Sequence, residues 1–286
     1  MKDIVANRRR VSLSNRVRTA LIALRENGPI WCTYLFAYYL ASTIAERAHS
    51  KMHQLRRERN LPGLNSATLN QHIWNSWDWS AQGDEWTSSP QWKESLIRRV
   101  LQPNIPPNSA VLEIGPGAGR WTEALLQHAQ SYIGVDISAS CVEVCSKRFA
   151  GDPRAQFFVG SGRDLAAVPT GSIDAIWSFD VFVHVNAAEV AGYIADFVRV
   201  MRPGAVAVIH HGAVAGTGGG WRSNLTAPVF QAVLAERGLR IRQVLEQWAD
   251  GDEIHKLTYG DRITVIEKPR ATDHASRASG SNIMSP

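Results

Sequence analysis

The chain has 286 residues, 44% of them hydrophobic, which is enough to bury a sizeable core, and its three cysteines are too few for a disulfide framework. Residues 1–60 hold 12 Lys and Arg against 4 Asp and Glu, a net +8, whereas the remaining residues carry a net −3. The composition therefore excludes a disulfide-stapled secreted scaffold, and it assigns the basic character to the N-terminal segment alone.

Residues 1–60 are predicted to form a basic helical extension. An uncharged, aromatic-rich run at 30–45 lies between two groups of basic residues. Its 16 residues are fewer than the roughly 20 that a membrane-spanning helix needs, so we do not assign a transmembrane segment. The run starts too late for a secretory signal. It fits the headgroup region of an anionic membrane surface, and packing on the rest of the protein or on a second copy in a homodimer is the alternative.

Residues 61–108 are a tryptophan-rich segment followed by a predicted helix at 91–101. Trp74, Trp77, Trp79 and Trp86 stand close to Asp78, Asp84 and Glu85 in the sequence. Flat apolar rings beside carboxylates suit a sugar, whose C–H face packs on indole and whose hydroxyls reach the carboxylates. Packing of these rings over a sheet is the competing interpretation.

Residues 109–268 alternate strand and helix patterns with short loops, which predicts a doubly wound α/β sheet. A strand at 239–247 and a strand at 262–268 finish this domain. The glycine-rich stretch 211–220 is expected to be a mobile loop. Residues 269–286 are polar, show no periodicity and are expected to be a disordered tail.

The first strand of this domain is predicted at 110–114, and a glycine turn follows it. Gly115, Gly117 and Gly119 allow a tight turn against which a ligand can lie, and a helix is expected to begin near Arg120. Asp136 ends the next strand, where it can accept hydrogen bonds from a ribose diol. Glu113, two residues before the first glycine, would repel a pyrophosphate, which argues against a dinucleotide site.

The segment Glu113-Ile-Gly-Pro-Gly-Ala-Gly119 resembles motif I of the class I S-adenosylmethionine-dependent methyltransferases, and Tyr132-Ile-Gly-Val-Asp136 resembles their motif II. Further matches follow at 158–165, 171–178 and 200–210, so the resemblance covers about three fifths of the chain. It implies a seven-stranded, mostly parallel Rossmann-like sheet with an antiparallel last strand. Residues 70–93 more loosely resemble methyltransferases of glycan and glycolipid assembly.

The resemblance also implies roles in binding S-adenosylmethionine. The glycines hold its methionine part, Glu113 favours its positive charges, Asp136 binds the ribose and Ile137 flanks the adenine. Ser161 stands where the family usually has an Asp for the adenine amino group, so Ser161 or Asp164 must substitute. Gly162 and Phe179 complete the predicted cofactor site.

On the acceptor side, Asp180 and His184 are four residues apart, and we expect them to share a helical face, with the carboxylate orienting the imidazole as a general base. A histidine that only shapes the cleft is the alternative. His210 and His211 offer a second arrangement, in which they and Asp180 hold a divalent metal. We do not favour a metal, because adjacent strand residues point to opposite faces and His is a poor ligand for Mg²⁺.

The predicted acceptor is a sugar hydroxyl of a glycan, glycolipid or lipid-linked saccharide, bound by Trp77, Trp79, Trp86, Trp221 and Arg222. A small-molecule O- or N-methyltransferase and a non-catalytic methyltransferase-like subunit are the alternatives. A nucleic-acid substrate is not expected, because the Asn/Asp-Pro-Pro-aromatic sequence that serves a flipped base is missing after the fourth strand. The domain is expected in the cytoplasm, where its cofactor is made, with membrane contact at the inner face.

Overall fold

The computed structural model describes residues 13–215 and 221–270, and of residues 13–16 only the backbone. The chain divides into two compact units, Met1–Leu61 and Pro62–Pro286. Most of the predicted tail and the glycine-richest part of the predicted loop, residues 216–220, lie outside the described residues.

The N-terminal unit is dominated by one long helix, α1, at Leu13–Glu58. Gly28 interrupts it with φ of 78° and ψ of 168°, values outside the helical region, and Pro29 follows directly. Proline suits the first turn of a helix, so α1 is two helical segments joined at this kink. Among the described residues, no helix is long and apolar enough to cross a membrane.

The second unit has short helices around a large sheet. Its helices are α2 Ala67–Ser76, α3 Pro90–Leu96, α4 Gln102–Asn104, α5 Thr122–Leu126, α6 Ala139–Arg148, α7 Ala187–Val200 and α8 Ala227–Glu236. Its strands are β1 Ser109–Ile114, β2 Ala129–Asp136, β3 Ala155–Val159, β4 Ile173–Phe182, β5 Met201–His211, β6 Arg240–Leu245, β7 Gln247–Asp250, β8 Glu253–Lys256 and β9 Arg262–Glu267.

Seven strands form one sheet in the order β3-β2-β1-β4-β5-β9-β6. Strands β1 to β5 run parallel, and β9 lies antiparallel between β5 and β6. The predicted Rossmann-like sheet with an antiparallel last strand is therefore confirmed. The order reverses between β1 and β4, and in such sheets ligands bind beyond the carboxyl ends of the strands at this switch point.

Hydrophobic side chains cover both faces of the sheet. Leu112 and Phe197 belong to the core on one face, and Val111 and Trp177 belong to the core on the other. Neighbours Val111 and Leu112 separate because successive side chains of a strand point to opposite faces. Burial on both faces is typical of a parallel sheet covered by helices, and it holds the strand ends in fixed positions.

Two predicted elements differ in the structure. The helix after the glycine turn begins at Thr122 rather than near Arg120 and has only five residues. The strand predicted at 239–247 ends at Leu245, and the chain continues into a separate hairpin of β7 and β8. Asp250, at the end of β7, forms ion pairs with Arg98 and Arg99, which fasten this hairpin to the π-helical turn that follows α3.

Candidate active site

The glycine turn, residues 115–119, has a backbone that only glycine adopts easily. Gly115, Gly117 and Gly119 have φ of 70°, 58° and 90°, in the left-handed region. A side chain at Gly115 would overlap Val181, so the turn packs directly on β4. The Gly115 N–H donates to the Val135 carbonyl at 2.8 Å. The turn is thereby held at the carboxyl ends of β1, β2 and β4, where a cavity of about 480 Å³ opens.

Asp136 faces this cavity from the end of β2. Its two carboxylate oxygens accept hydrogen bonds from the N–H groups of Gly117, at 3.0 Å, and Ser138, at 2.8 Å. Burial raises the pKa of Asp136, although these backbone N–H groups oppose the rise. The carboxylate thus joins the glycine turn to β2 in the position predicted for a ribose-binding group.

Glu113 does not line the cavity, contrary to its predicted role against the cofactor's charges. Its buried carboxylate accepts hydrogen bonds from Thr122 Oγ1 at 2.7 Å and Tyr132 Oη at 2.5 Å. Burial raises its pKa to about 7, and the two hydroxyl donors counteract part of that rise. Glu113 therefore fastens β1 to β2 and to the start of α5 beneath the turn.

Only some of the residues that are predicted to bind the adenine line the cavity. Ile137 and Gly162 line the cavity together, and a side chain at Gly162 would overlap Ile137. Ser161 is exposed and donates to Asp164 Oδ2 at 2.8 Å, and neither side chain lines the cavity. The expected substitution of Ser161 or Asp164 for an adenine-binding carboxylate therefore stays a prediction, because these side chains bind each other and do not line the cavity.

Asp180 lies in β4 and not on a helix, which corrects the predicted shared helical face with His184. Its φ is 62°, a strained value for a residue with a side chain, and the β4–β5 register shifts between Ser178 and Phe182. Arg120 Nη1 donates to Asp180 Oδ2 at 2.7 Å. Burial raises the pKa of Asp180, but His210 and Arg120 together lower it below its usual range.

His184 lies in the turn after β4 and lines the cavity. Its Nδ1 is 2.9 Å from the Trp221 carbonyl oxygen, which can only accept, so we assign the proton to Nδ1. Burial and the charge of Arg222 lower its pKa to about 4. The imidazole is therefore neutral at pH 7, with Nε2 as its remaining acceptor.

His210 and His211 point to opposite faces because β5 continues through both residues. His210 stacks on Phe179, with ring centroids 4.2 Å apart, and its Nδ1 accepts from the Asp180 N–H at 3.1 Å. His211 is buried between Gly212 O and Thr264 Oγ1, at 2.9 and 2.8 Å. Burial lowers the His211 pKa to about 4. The two histidines cannot share one ion in this arrangement.

No metal cluster forms among residues 13–215 and 221–270: no group of three or more His, Cys, Asp and Glu side chains could hold an ion there. Phe179, predicted for the cofactor, lines the cavity and stacks on His210. The polar groups that line the cleft include an imidazole, carboxylates and backbone amides. These groups can form hydrogen bonds with an organic ligand.

The tryptophan segment, residues 74–87, forms one wall of the cavity. Trp74, Trp79 and Trp86 line it, with ring centroids 5.7 to 6.0 Å apart. Trp77, predicted to contact substrate, does not line the cavity; its Nε1 donates to Glu85 at 2.9 Å. Trp74 also packs against His184, with ring centroids 5.5 Å apart.

The opposite wall comes from residues far along the chain. Arg222 lines the cavity, forms an ion pair with buried Asp261 and lies over the Tyr259 ring at 5.0 Å. Trp221 does not line the cavity; its ring is 55% exposed and its carbonyl binds His184. Asp261 and Tyr259 were not predicted, because nothing in the pattern after β8 marks them as site residues.

Arg120 is the other functional residue that sequence reasoning did not assign to the site. Besides Asp180, its guanidinium donates to Thr87 Oγ1 at 3.0 Å and to the Trp86 carbonyl at 3.2 Å. The side chain is almost fully buried. Its position directly after Gly119 is the one feature of the sequence that could have predicted its place in the site, because the residue after the glycine turn lies next to the predicted ligand.

The charges around the cavity favour a cationic or neutral ligand. Arg120 and Arg222 are both ion-paired, to Asp180 and Asp261. The remaining carboxylates of the lining are Glu85, Asp136 and Glu189. A volume of about 480 Å³ lies in the usual range for small-molecule and cofactor sites, roughly 300–1,000 Å³.

Comparison with known proteins agrees with this geometry. Residues 111–204 match a family described as "Methyltransferase domain". Ribosomal RNA small subunit methyltransferase A of Synechococcus sp. (strain JA-3-3Ab) is 35% identical over 88 residues, which are 30% of this chain and 32% of that protein. The chain thus spans about a third of the length of this curated relative.

Two solved structures share the fold. N-methyltransferase NodS from Bradyrhizobium japonicum, in complex with S-adenosylhomocysteine, has a TM-score of 0.52 at 18% identity over 66% of this chain and 93% of that chain. Geranyl diphosphate C-methyltransferase from Streptomyces coelicolor has a TM-score of 0.51 at 12% identity over 71% of this chain and 98% of that chain. At these identities the likeness concerns the fold alone.

Proposed function

We propose that this protein is a class I S-adenosylmethionine-dependent methyltransferase that methylates a sugar hydroxyl of a glycan, glycolipid or lipid-linked saccharide, and the match of residues 111–204 to a methyltransferase domain supports the reaction class. The observation that carries the proposal is a neutral imidazole, His184, on the cavity wall beside indole rings and close to a glycine turn. This arrangement combines a cofactor cradle, a base and a surface for a sugar ring.

The residues of the cofactor side fit S-adenosylmethionine. The backbone of the glycine turn lines the cavity at Gly115 and Gly117, so a ligand can lie against it without meeting a side chain of these two residues. Asp136 presents its carboxylate for the ribose diol, and Ile137 beside Gly162 offers an apolar surface for the adenine. The bound cofactor supplies a methyl group that is already activated, so the protein has to position an acceptor and remove a proton.

His184 is the proposed general base. Its pKa of about 4 keeps it unprotonated at physiological pH, and the Trp221 carbonyl fixes the tautomer that leaves Nε2 as the acceptor. Asp180, which we expected to orient this ring, is bound instead by Arg120 through its carboxylate and by His210 through its backbone N–H. Its carboxylate also lines the cavity and raises the His184 pKa somewhat, so Asp180 favours the charged imidazole electrostatically.

The acceptor surface supports a sugar over the alternatives. Trp74 and Trp86 offer apolar ring surface, and Glu85 and Asp180 offer hydroxyl acceptors in the same cavity. An amine or phenol of small-molecule metabolism would use the same cofactor side and is the competing candidate. A polyanionic acceptor is disfavoured by the carboxylates that line the cleft.

The test uses labelled S-adenosylmethionine and cell-envelope glycans from cells that lack the protein. Full-length enzyme is expected to transfer label to a sugar, to tolerate EDTA and to lose turnover in His184→Ala. Free amines and phenols are offered in parallel. Label on those acceptors alone would overturn the sugar proposal. Activity abolished by EDTA and restored by metal, with His184→Ala unimpaired, would replace the base by a metal scheme involving Asp180 and His210.

We also propose that the protein is cytoplasmic and that residues 1–60 hold it on an anionic membrane surface. Large apolar side chains of α1 are exposed over the predicted aromatic run, including Trp31, Tyr34 and Phe36, and Arg47 and Lys51 follow them. Exposed aromatics beside cations complement anionic headgroups.

Flotation with phosphatidylglycerol vesicles tests this attachment. The full chain is expected to float, less so at high salt, and to lose flotation when Trp31, Tyr34 and Phe36 are changed to Ser. Ile254→Ser, at an exposed apolar residue of β8, is the matched control. Failure to float, or a dimer that the same three changes dissociate in sedimentation, would contradict membrane attachment and favour helix packing.

A further inference from the structure

Trp79 lies against the glycine turn, although its sequence position groups it with the predicted acceptor wall. Its six-membered ring is the nearest neighbour of the place where a side chain of Gly117 would begin, with Cζ3 and Cη2 at 3.1 and 3.3 Å from that Cβ position. The ring and the turn both line the cavity. The indole therefore faces the part of the cleft that the proposed function gives to the methionine end of the cofactor.

The position of this ring is fixed by contacts within the protein. The Trp79 Nε1–H donates to the Trp74 carbonyl at 3.0 Å, so the polar edge of the indole is satisfied inside its own segment. Asp78 accepts from the Ser80 N–H at 3.0 Å and begins the short helical turn that carries Trp79. Farther along, Arg120 binds Trp86 O and Thr87, which fastens the segment to the residue after the turn.

The surroundings favour a positive charge at this place. Aromatic ring faces are electron-rich, and they attract cations that lie within about 6 Å of the ring centroid. Asp136 accepts from the N–H of the same Gly117 that Trp79 covers, so a carboxylate lies beside the same glycine. The two arginines of the lining are already ion-paired, to Asp180 and Asp261.

We propose that Trp79 is a cofactor-binding residue whose indole ring stabilises the sulfonium charge of S-adenosylmethionine. The inference rests on the proposed function, because it assumes that the glycine turn holds this cofactor. It moves Trp79 from the acceptor wall to the cofactor wall and leaves Trp74 and Trp86 to the acceptor. Trp74 then connects the two, since its ring packs on both Trp79 and His184.

Calorimetry on the full chain tests the assignment with two probes that differ in charge. S-adenosylmethionine carries the sulfonium, and S-adenosylhomocysteine has a neutral sulfur. Trp79→Leu is expected to weaken binding of the first more than the second, lowering the preference for the charged nucleoside by about 3- to 30-fold. Trp79→Phe keeps a ring and is expected to retain most of the preference. Trp77→Leu, at a tryptophan of the same segment outside the cavity, is expected to change neither affinity.

Other results would overturn the assignment. Equal weakening of both nucleosides in Trp79→Leu would mean that the ring only packs, and unchanged affinities would mean that it contacts neither. If Trp79→Leu does not fold, tryptophan fluorescence decides: S-adenosylmethionine is expected to change the emission of wild type more than S-adenosylhomocysteine does, and Trp79→Phe should remove that difference. Failure of wild type to bind either nucleoside would refute the proposed function as well.

Discussion

The cofactor side of the cleft is built from backbone and neighbouring residues, whereas the acceptor side is built from side chains that arrive from distant parts of the chain. Gly115, Gly117 and Asp136 lie within 22 consecutive residues, where the Gly115 N–H donates to the Val135 carbonyl and the Gly117 N–H donates to the Asp136 carboxylate. On the acceptor side, Asp180 needs Arg120 and His210, which lie 60 and 30 residues away. A substitution on the cofactor side should change the affinity for the cofactor, and one on the acceptor side should change the rate of methyl transfer.

The largest expected effect is on the acceptor side, in His184→Ala. Loss of a positioned general base costs ~10²–10⁴ in rate. Affinity for S-adenosylhomocysteine should remain close to that of wild type, because the ring lies beyond the glycine turn. His72→Ala, at an exposed histidine of α2, is the control in the methyl-transfer assay.

The pH profile gives a second test of the same base. Since the His184 pKa is about 4, the imidazole is already neutral at pH 6, and the rate should not rise between pH 6 and 8 through this group. A rate that rises through pH 6.5 and loses that rise in His184→Ala would contradict the neutral, half-buried base.

The next largest effect is expected on the free energy of unfolding, through Glu113, which lies beneath the glycine turn. Its pKa is raised from 4.5 to about 7, so the folded protein keeps a proton that the unfolded chain has released. The resulting stability is present in full below pH 4.5 and is lost as the pH rises through 7. In urea unfolding, wild type should lose about 2 to 3 kcal/mol relative to Glu113→Gln between pH 5 and 8. A constant difference across this range would show that Glu113 is ionised throughout.

A smaller effect is expected for cofactor affinity in Asp136→Asn. Exchange of the carboxylate for an amide removes one acceptor, which costs about 1–3 kcal/mol, or roughly 5- to 150-fold in affinity. Asp164→Asn is the informative partner, because the sequence predicts it at the adenine and the structure has it outside the cleft. Equal losses in the two variants would show that Asp164 reaches the ligand after all.

The smallest effect is expected for alanine substitutions at two glycines, which distinguish a loss of stability through backbone strain from a loss of ligand contact. Gly117 and Gly171 have nearly the same φ, 58° and 59°, but only Gly117 faces the cavity. Alanine at either position should cost about 1–2 kcal/mol of stability, because both lie in the left-handed region. Only Gly117→Ala should also weaken binding of S-adenosylhomocysteine. If Gly171→Ala weakened it as much, the loss would be a general effect of strain.

The difference between the two sides also explains what could be predicted from sequence. The strand, glycine turn and Asp136 occur in order along the chain, so their spacing was sufficient to predict the fold and these groups at the cleft. Glu113 was misassigned because the spacing does not reveal Tyr132 and Thr122, whose hydroxyls hold it beneath the turn.

Asp180 shows why the acceptor side was harder. A spacing of four residues is typical of one helical face, but β4 continues to Phe182 and the left-handed backbone of Asp180 distorts the strand there. Such a backbone irregularity changes which side chains of the strand share a face, and no residue type in the sequence marks it. The hairpin of β7 and β8 did leave a signal in the sequence, since a two-residue loop with Gly at its first position, here Gly251-Asp252, is a common hairpin turn, and Gly251 has φ of 64°.

The central claim, methyl transfer from S-adenosylmethionine to a sugar hydroxyl with His184 as base, is tested most directly by mass spectrometry of envelope glycans. Cells that lack the protein are complemented with wild type, His184→Ala or His72→Ala. The account predicts one sugar heavier by a CH₂ group with wild type and His72→Ala, and its loss or strong reduction with His184→Ala. Identical glycans in all strains, or full methylation with His184→Ala, would contradict it.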